Sequence, residues 1–258
     1  MEPDAVLADF TEQLRRNPAA EPGSRVERDE HVTRVISPGG GWNGVLWSDL
    51  TEAGADAVIA AQVRRFADVG ETWEWKHYSY DQPADLPRRL AAAGLAAEPA
   101  ETLLVAEITE LTLDTSPPAG VRLVPVTDAA GADAVVRVHD EVFGGDHQAI
   151  GAAIVAALGQ RPEPVQAVVA MAGDTPVSAA RVEFPAGSEF AGLWGGGTLP
   201  SWRRRGLFRA LVACRASLAA DRGYRYLQVD ATPDSRPILR RLGFTELATT
   251  TPFVYSVP

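Results

Sequence analysis

The fold is decided by one segment of the chain, Thr198-Leu199-Pro200-Ser201-Trp202-Arg203-Arg204-Arg205-Gly206-Leu207-Phe208-Arg209-Ala210. Its pattern predicts the end of a strand, a short arginine-rich turn and the first turn of a helix. The backbone N–H groups at a helix start have no partner within the helix and carry partial positive charge, so such a turn suits a phosphate group. Gly206 lets the backbone approach an anion closely, and arginine side chains add charge-assisted hydrogen bonds. A solvated basic turn without a ligand is the alternative interpretation.

The composition indicates one large domain or two modest ones. The 258 residues are 46% hydrophobic and 22% charged, which is enough for substantial apolar cores. No run of about 18 apolar residues occurs, and residues 1–4 are acidic rather than typical of a signal sequence. We therefore expect a soluble, cytoplasmic protein without a membrane partner.

Charge and metal-ligand residues exclude further classes of function. The formal net charge is −10, whereas a nucleic-acid-binding protein needs an excess of Lys and Arg on its binding face. Cys214 is the only cysteine, which excludes an internal disulfide and a cysteine-based zinc site. The four histidines show no metal-ligand spacing. We expect neither nucleic acid nor metal as a ligand, and the many Ala and Arg residues are typical of a GC-rich bacterial genome.

A proline-containing linker separates two patterns of alternating strands and helices. Ser116-Pro117-Pro118 is the centre of this linker. Before it, the sequence predicts helices within 1–16 and at 55–69 and 86–93, and strands at 32–36, 45–47, 73–80 and 102–106. After it, the sequence predicts helices at 134–142, 148–158, 207–221 and 235–242, and strands at 121–124, 166–171, 177–183, 190–199, 224–230 and 253–257.

The second pattern resembles the GNAT superfamily of acyl-CoA-dependent N-acyltransferases. The family signature, Gln/Arg-x-x-Gly-x-Gly/Ala between the fourth strand and the third helix, is matched by Arg203-Arg204-Arg205-Gly206-Leu207-Phe208, except that Phe208 replaces Gly or Ala. A second landmark, a short helix that ends in Leu-Gly-Phe, is present as Leu242-Gly243-Phe244. The resemblance implies an α/β fold with a mixed sheet of the GNAT type.

The first half of the chain carries a weak copy of the same pattern. Residues 66–94 parallel residues 218–243 in their order of helix end, strand, short helix and glycine. The segment at the position of the arginine turn, residues 49–53, is acidic and would repel a phosphate. The sequence therefore predicts a tandem: a degenerate, truncated GNAT-like domain at 1–115 without a cofactor turn, and a GNAT N-acetyltransferase domain at 119–258.

The resemblance implies that acetyl-CoA or another acyl-CoA is the co-substrate. In this family the turn holds the pyrophosphate mainly through backbone N–H groups, and the pantetheine arm inserts between splayed strands. The triple glycine Gly195–Gly197 is well placed for that slot, although a plain bulge is the alternative. The cofactor-binding residues implied by the resemblance are Thr198, Leu199, Arg203, Arg204, Arg205, Gly206, Leu207, Phe208, Arg209 and Ser235.

Catalytic residues are less clearly marked than the cofactor turn. Acyl transfer to an amine needs a positioned thioester, a neutral amine and a proton for the departing thiolate. Glu183 and Asp230, each at a strand end, are the catalytic candidates, with a solvated strand end and a turn cap as their respective alternative roles. Glu141, His147 and ordered water are further options for the base. The tyrosine that is the family's usual general acid is replaced by Leu239.

Three functions stay open at this point. The leading one is an N-acyltransferase that moves an acetyl or other short acyl group to a small-molecule or peptide amine by direct attack in a ternary complex. The second is an acyl-CoA-binding or regulatory protein without turnover, and the third is a structural protein whose arginine turn binds nothing. The acidic charge favours a cationic acceptor through electrostatic steering.

Overall fold

The structure is a computed structural model that describes residues 1–21, 23–37, 39, 41–111 and 116–256. Its elements are α1 Pro3–Phe10, a π-helical segment Thr11–Arg16, β1 Arg25–Arg28, β2 Val32–Ile36, β3 Gly44–Ser48, α2 Ala55–Ala67, β4 Trp73–Tyr78, α3 Leu86–Ala92, β5 Ala96–Ala97, β6 Glu101–Glu107, a 3-10 turn Ile108–Glu110, β7 Val121–Pro125, α4 Ala129–Phe143, α5 Gln148–Leu158, β8 Val165–Ala172, β9 Thr175–Glu183, β10 Phe190–Thr198, a 3-10 turn Pro200–Trp202, α6 Leu207–Asp221, β11 Tyr226–Ala231, α7 Arg236–Arg241 and β12 Thr245–Tyr255. Within the described ranges, none of these helices has both the length and the apolar character that crossing a membrane requires.

The chain packs as two compact units. Unit 1 comprises Met1–Leu104, Asp230–Arg241 and Thr245–Pro258, and unit 2 comprises Val105–Val229 and Leu242–Phe244. The two units are defined by packing contacts, whereas the sequence predicts a division into two related domains at 1–115 and 119–258. That division therefore stays a prediction. Its boundary at residue 115 lies outside the described residues.

Within unit 1 the strand order is β1-β2-β3-β4-β12-β6, with β5 paired to β12, and β6 belongs to this unit as far as Leu104. β3 and β4 are parallel, whereas β12 runs antiparallel to β4 through pairs from Thr250↔Tyr78 to Tyr255↔Trp73. Phe66 on α2 stacks on Trp73 of β4 with ring centroids 4.4 Å apart, and both side chains are buried. Aromatic packing therefore fixes α2 against the mixed sheet.

A buried ion pair anchors the N-terminal helical segment of unit 1. Arg15 donates hydrogen bonds to both carboxylate oxygens of Asp81, at 2.8 and 2.9 Å, and its Nε donates to the Leu46 carbonyl at 2.8 Å. The guanidinium also lies 4.1 Å from the centre of the Tyr78 ring. The predicted helix within 1–16 is confirmed, and its second half is π-helical.

Glu27 on β1 accepts hydrogen bonds from Arg65, Arg25 and Arg34. These bonds, that from Arg65 above all, hold the pKa of Glu27 well below its ordinary value, although partial burial opposes them. A pKa that is lower in the folded state gives stabilisation that is present above the unfolded pKa of about 4.3 and is lost as the pH falls through the folded pKa. We expect Glu27→Gln to lower the free energy of unfolding at pH 7 by about 1.5–3 kcal/mol.

Chemical unfolding at a series of pH values tests this expectation. The difference between the unchanged protein and Glu27→Gln should shrink below about pH 4, as the carboxylate becomes protonated. The exposed Glu30, changed to Gln, is the matched control and should have little effect. A Glu27→Gln effect that stays constant down to the lowest pH would contradict the electrostatic origin.

Within unit 2 the strand order is β11-β10-β9-β8-β7, and β11 belongs to this unit as far as Val229. β7 to β10 pair antiparallel with their neighbours, and β11 is parallel to β10. Helix α6 buries Leu207 and Leu211 in apolar clusters with residues of β7, β8 and β9. This packing fixes α6 on the sheet and so determines where its first turn lies relative to the end of β10.

The strongest periodic patterns predict their elements well. Helices α5 and α6 have the predicted bounds, and the mixture of parallel and antiparallel strand pairs with packed helices confirms the α/β class. The prediction of the last strand is wrong: β12 begins at Thr245 rather than at residue 253, and the predicted end at residue 257 lies outside the described residues. Residues 249–252, Thr-Thr-Thr-Pro, lack an apolar alternation, and their strand conformation comes from pairing with β4 instead.

Candidate functional site

The arginine-rich turn connects β10 to α6 in unit 2. After Thr198 the chain forms the 3-10 turn Pro200–Trp202, and then Arg204 and Gly206 adopt left-handed backbone conformations with φ of 61° and 87°. Arg204 is the only non-glycine residue with positive φ in the described part of the chain. A left-handed conformation costs a non-glycine residue roughly 1–2 kcal/mol, so the surrounding structure imposes this turn.

Backbone N–H groups converge at the start of α6 without acceptors. The first bond at this helix start is Ala210 N–H to the Gly206 carbonyl, at 3.0 Å, and Gly206 supplies no side-chain cap. Among the described residues, none accepts a hydrogen bond from the backbone N–H groups of residues 204–209. Unpaired N–H groups at a helix N-terminus are suited to bind an anion, and we call this group of donors the cradle. That an anion binds here stays a prediction.

Arginine side chains surround this cradle. They are all exposed or partly exposed: Arg203, Arg204, Arg205 and Arg209. The Arg203 Nε donates to the Thr198 carbonyl at 3.2 Å, and the Arg205 guanidinium lies 4.6 Å from the centre of the Trp202 ring. No ion pair joins these arginines to a carboxylate in the part of the chain that the structure describes. Their positive charge is therefore available to a ligand.

Phe208, the residue that departs from the family signature, leaves the turn open. A Cβ atom placed on Gly206 would meet no heavy atom within 4 Å. The Phe208 ring instead lies beside β10, where its Cε2 atom is 3.1 Å from the position of a Cβ on Gly196. Leu207 is buried, and Leu199, before the turn, is almost fully buried. Both flanks of the cradle are thus anchored in the core.

β10 contains a bulge at its consecutive glycines. The register against β9 shifts between Trp194 and Gly197, and Gly195 has a φ of 59°. The Gly195 carbonyl accepts a hydrogen bond from His139 Nε2 at 2.8 Å, because a carbonyl oxygen has no proton to donate. His139 is 1% exposed and its Nδ1 has no partner among the described residues. Burial lowers the pKa of His139 below its ordinary value, which favours the neutral ring.

We expect Gly195→Ala to lower the free energy of unfolding by about 1–3 kcal/mol. The new Cβ would lie 2.7 Å from His139 Cε1 and 3.0 Å from Arg181 Nη1, and the φ of 59° is unfavourable for alanine. Gly173 has nearly the same φ, 60°, but no neighbour within 4 Å, so Gly173→Ala isolates the backbone cost. Chemical unfolding of both variants checks this, and equal losses would show that the bulge tolerates a side chain.

Parallel pairing between β10 and β11 stops before the bulge. It joins residues 190–192 to residues 226–228, although β10 continues to Thr198. On the other side, Ser178 of β9 donates to the Gly197 carbonyl at 2.6 Å, so its oxygen accepts from the Thr198 hydroxyl at 2.7 Å. The second half of β10 is therefore fixed on the β9 side and has no β11 partner within the described part of unit 2.

Glu183, the first predicted catalytic residue, ends β9 in unit 2. It pairs with Gly192 of β10 in the ladder and accepts a hydrogen bond from Arg181 Nε at 2.8 Å. Its side chain is 26% exposed, which leaves the carboxylate in contact with solvent. A partly exposed carboxylate near the glycines of β10 is able to accept a proton, and its catalytic role stays a prediction.

Asp230, the second predicted catalytic residue, belongs to unit 1. Its Oδ2 lies 2.8 Å from Lys76 Nζ, and the two side chains are 3% and 14% exposed. Its Oδ1 is buried and without a partner among the described residues. Burial lowers the pKa of Lys76, but the charges of Asp230, Glu74 and Glu101 raise it by more. Asp230 is thus half of a buried ion pair, and its catalytic role also stays a prediction.

Ser235 and Leu239 lie around α7 in unit 1. The Ser235 hydroxyl donates to the Thr232 carbonyl at 3.3 Å, and the Ser235 carbonyl accepts from the Leu239 N–H at 3.0 Å. Ser235 therefore organises the start of α7. Leu239 is 1% exposed and packs in the core. Its hydrocarbon side chain has no proton to donate, so it cannot act as the general acid.

Two residues near the bulge, His139 and Arg215, were not predicted from the sequence to contact β10. Each lies on a helix face that otherwise carries apolar residues, α4 and α6 respectively, and each contacts a carbonyl of β10. The sequence signal that could have predicted these contacts is a polar residue on an otherwise apolar helix face, together with consecutive glycines in a strand that packs against that helix. In the described residues, no group of three or more His, Cys, Asp or Glu side chains is arranged to hold a metal ion.

Comparison with family models and with curated proteins gives no match. Solved structures match over almost the whole chain. A GCN5-related N-acetyltransferase from Kribbella flavida has a TM-score of 0.70 and 20% identity, over 98% of this chain and 95% of its own. One from Sphaerobacter thermophilus has a TM-score of 0.61 and 13% identity, over 98% and 85%. A tandem GNAT protein from the clavulanic acid biosynthesis pathway has a TM-score of 0.59 and 15% identity, over 93% and 85%. The predicted GNAT fold is confirmed.

Proposed function

We propose that this chain, which has the GNAT fold, is an acyl-CoA-dependent N-acyltransferase that moves an acetyl or other short acyl group to an amine. The observation that carries the proposal is the cradle of unpaired N–H groups at residues 204–209, bordered by arginine side chains. The cradle lies directly after β10, whose second half is not paired with β11 in the described residues. An anion site at the end of such a strand suits a long ligand with a diphosphate and an extended arm.

The residues at this site fit a CoA diphosphate. The space over Gly206 is open, and the N–H groups of residues 204–209 can bind two phosphate groups. Arg203, Arg204, Arg205 and Arg209 would add charge-assisted bonds. The backbone of Thr198 and Leu199 would bind the pantetheine amides, and Ser235 keeps only the cofactor-binding role that the family resemblance implies. When bound, the thioester supplies an acyl group that is activated for transfer.

The protein's own residues would position the amine and remove its proton. A neutral amine is the nucleophile, so a carboxylate or an ordered water must accept a proton. Glu183 and Asp230 are the candidates, and the ion pair of Asp230 with Lys76 favours Glu183. A small molecule or a peptide would supply the amine, and the net charge of −10 would steer a cationic one toward the protein.

Calorimetry with acetyl-CoA and a free-thiol assay with a panel of amines test the proposal. We expect a dissociation constant in the micromolar range, roughly −8 kcal/mol of binding free energy, and thiol release that depends on the amine. No heat of binding at saturating acetyl-CoA would contradict both the transferase and any other acyl-CoA function. Binding without thiol release would favour a non-catalytic acyl-CoA-binding protein, an alternative that the leucine at position 239 supports.

A further inference from the structure

Arg215 is a fully buried cation without a carboxylate partner among the described residues. It is 2% exposed and lies on α6. Its hydrogen bonds go to backbone carbonyls alone: Nε donates to Leu211 at 3.0 Å, and Nη1 donates to Arg181 at 3.1 Å and to Trp194 at 3.5 Å. A buried charge usually has a counter-ion, because isolated burial is costly. Arg215 lacks one in the described residues.

The guanidinium of Arg215 lies beneath the bulge of β10. Trp194 and Arg181, whose carbonyls it binds, are paired across β9 and β10 where the register begins to shift. A Cβ on Gly196 would lie 3.8 Å from Arg215 Nη2, and a Cβ on Gly195 would lie 3.0 Å from Arg181 Nη1. Two guanidinium groups therefore lie next to the two glycines of the bulge.

The charges around this bulge do not balance. Arg181 on β9 is paired with Glu183, and His139 on α4 donates to the Gly195 carbonyl. Cys214, next to Arg215 on α6, is a thiol whose own pKa is raised by burial. Burial lowers the pKa of Arg215 to about 9, the nearby thiol of Cys214 opposes this, and the charge of Arg181 adds to it. At neutral pH the bulge thus carries a positive charge that a low-dielectric surrounding leaves unscreened.

We propose that Arg215 stabilises the negative charge that forms on the sulfur of CoA during acyl transfer. This inference rests on the proposed function, and it assigns to a buried arginine the task that a tyrosine acid would otherwise perform. A fixed charge under a glycine-rich strand stabilises a developing anion without reorganisation at the moment of reaction. The leucine at position 239 is then compatible with turnover.

The chemical step balances without an acid from the protein. The amine nitrogen forms a bond to the acyl carbon, the carbon–sulfur bond breaks, and its electron pair stays on sulfur. The nitrogen loses its extra proton to a carboxylate or a water molecule. The thiolate is held in the field of Arg215 and takes a proton from solvent after release. The products are an amide and CoA.

The pKa of the bound CoA thiol tests the inference without any turnover. The measurement is ultraviolet absorbance of the thiolate across a pH series, in a Cys214→Ala background that removes the protein's only thiol. We expect protein-bound CoA to titrate at about 7.5 or below, compared with about 8.5 for an ordinary thiol. Arg215→Met should return the value to that of the free thiol, and Arg215→Lys should keep most of the decrease.

The controls separate this inference from the proposed function. Arg137→Met removes an exposed arginine on α4 and should leave the thiol pKa unchanged. If the protein that retains Arg215 binds CoA but the pKa of the bound thiol equals that of free CoA, the inference is overturned while the proposed function stands. If CoA does not bind at all, the proposed function is overturned as well. The thiol pKa measured with Arg215 present tests the inference even if Arg215→Met fails to fold.

Discussion

Arg205→Glu combined with Gly206→Asp is expected to weaken acetyl-CoA binding by at least about 100-fold, beyond the range of a routine calorimetric titration. A factor of 100 corresponds to about 2.8 kcal/mol. The glutamate replaces an attractive charge by a repulsive one, and the aspartate places a carboxylate where N–H groups of residues 204–209 converge. Both new charges are favoured at a helix N-terminus in the absence of a ligand, so they compete with phosphate for the same donors.

The fold should tolerate this double change. A side chain that begins at Gly206 would have no neighbour within 4 Å of its Cβ, and aspartate is one of the residues that accept a left-handed conformation. Arg137→Glu with Gly159→Asp makes the same change in net charge at exposed positions of α4 and after α5. This control should bind acetyl-CoA like the unchanged protein. Equal affinity of all three proteins would place the cofactor elsewhere.

Asp230→Asn is expected to lower the free energy of unfolding by about 3–5 kcal/mol. The change leaves the Lys76 ammonium in a buried position with its closest carboxylate gone. Because the pKa of Lys76 is raised in the folded protein, the ion pair stabilises the fold below the unfolded pKa of about 10.4, and this stabilisation is lost as the pH rises through the folded pKa. The loss in Asp230→Asn should therefore be complete at pH 7 and smaller above about pH 10.4.

A double-mutant cycle separates the two roles considered for Asp230. Lys76→Met in the Asp230→Asn background removes the unpaired ammonium and should recover much of the lost stability. Asp234→Asn, an exposed aspartate of the same segment, is the control and should be near neutral. An Asp230→Asn protein with unchanged stability but strongly reduced thiol release would instead identify a catalytic carboxylate.

The parts of the fold that rest on local patterns could be predicted from the sequence. Helix α6 has both an apolar face and a glycine at each end, Gly206 and Gly223, so its bounds follow from residue spacing. The bulge of β10 follows from its consecutive glycines, because glycine is the residue that such a backbone tolerates. The cradle of unpaired N–H groups lies between these two features, and its role as an anion site stays a prediction.

The parts that rest on distant contacts could not be predicted in this way. β12 is a strand because β4 pairs with it, and nothing in residues 245–252 specifies that partner. The sequence around Arg15 is that of a helix end, where an arginine is usually exposed to solvent. In the structure Arg15 is buried, because it forms an ion pair with Asp81, 66 positions later. The roles of His139 and Arg215 depend in the same way on carbonyls of β10 that a linear pattern does not locate.

The composition of unit 1 has a consequence for biosynthesis. During translation, β12 leaves the ribosome after all of unit 2, yet it pairs with β4 within unit 1. Until residues 245–255 emerge, β4 lacks its antiparallel neighbour, and an open strand edge is prone to wrong pairing. The residues 105–229, which form nearly all of unit 2, are contiguous and can assemble earlier. The unit that is synthesised first is therefore the last to be completed.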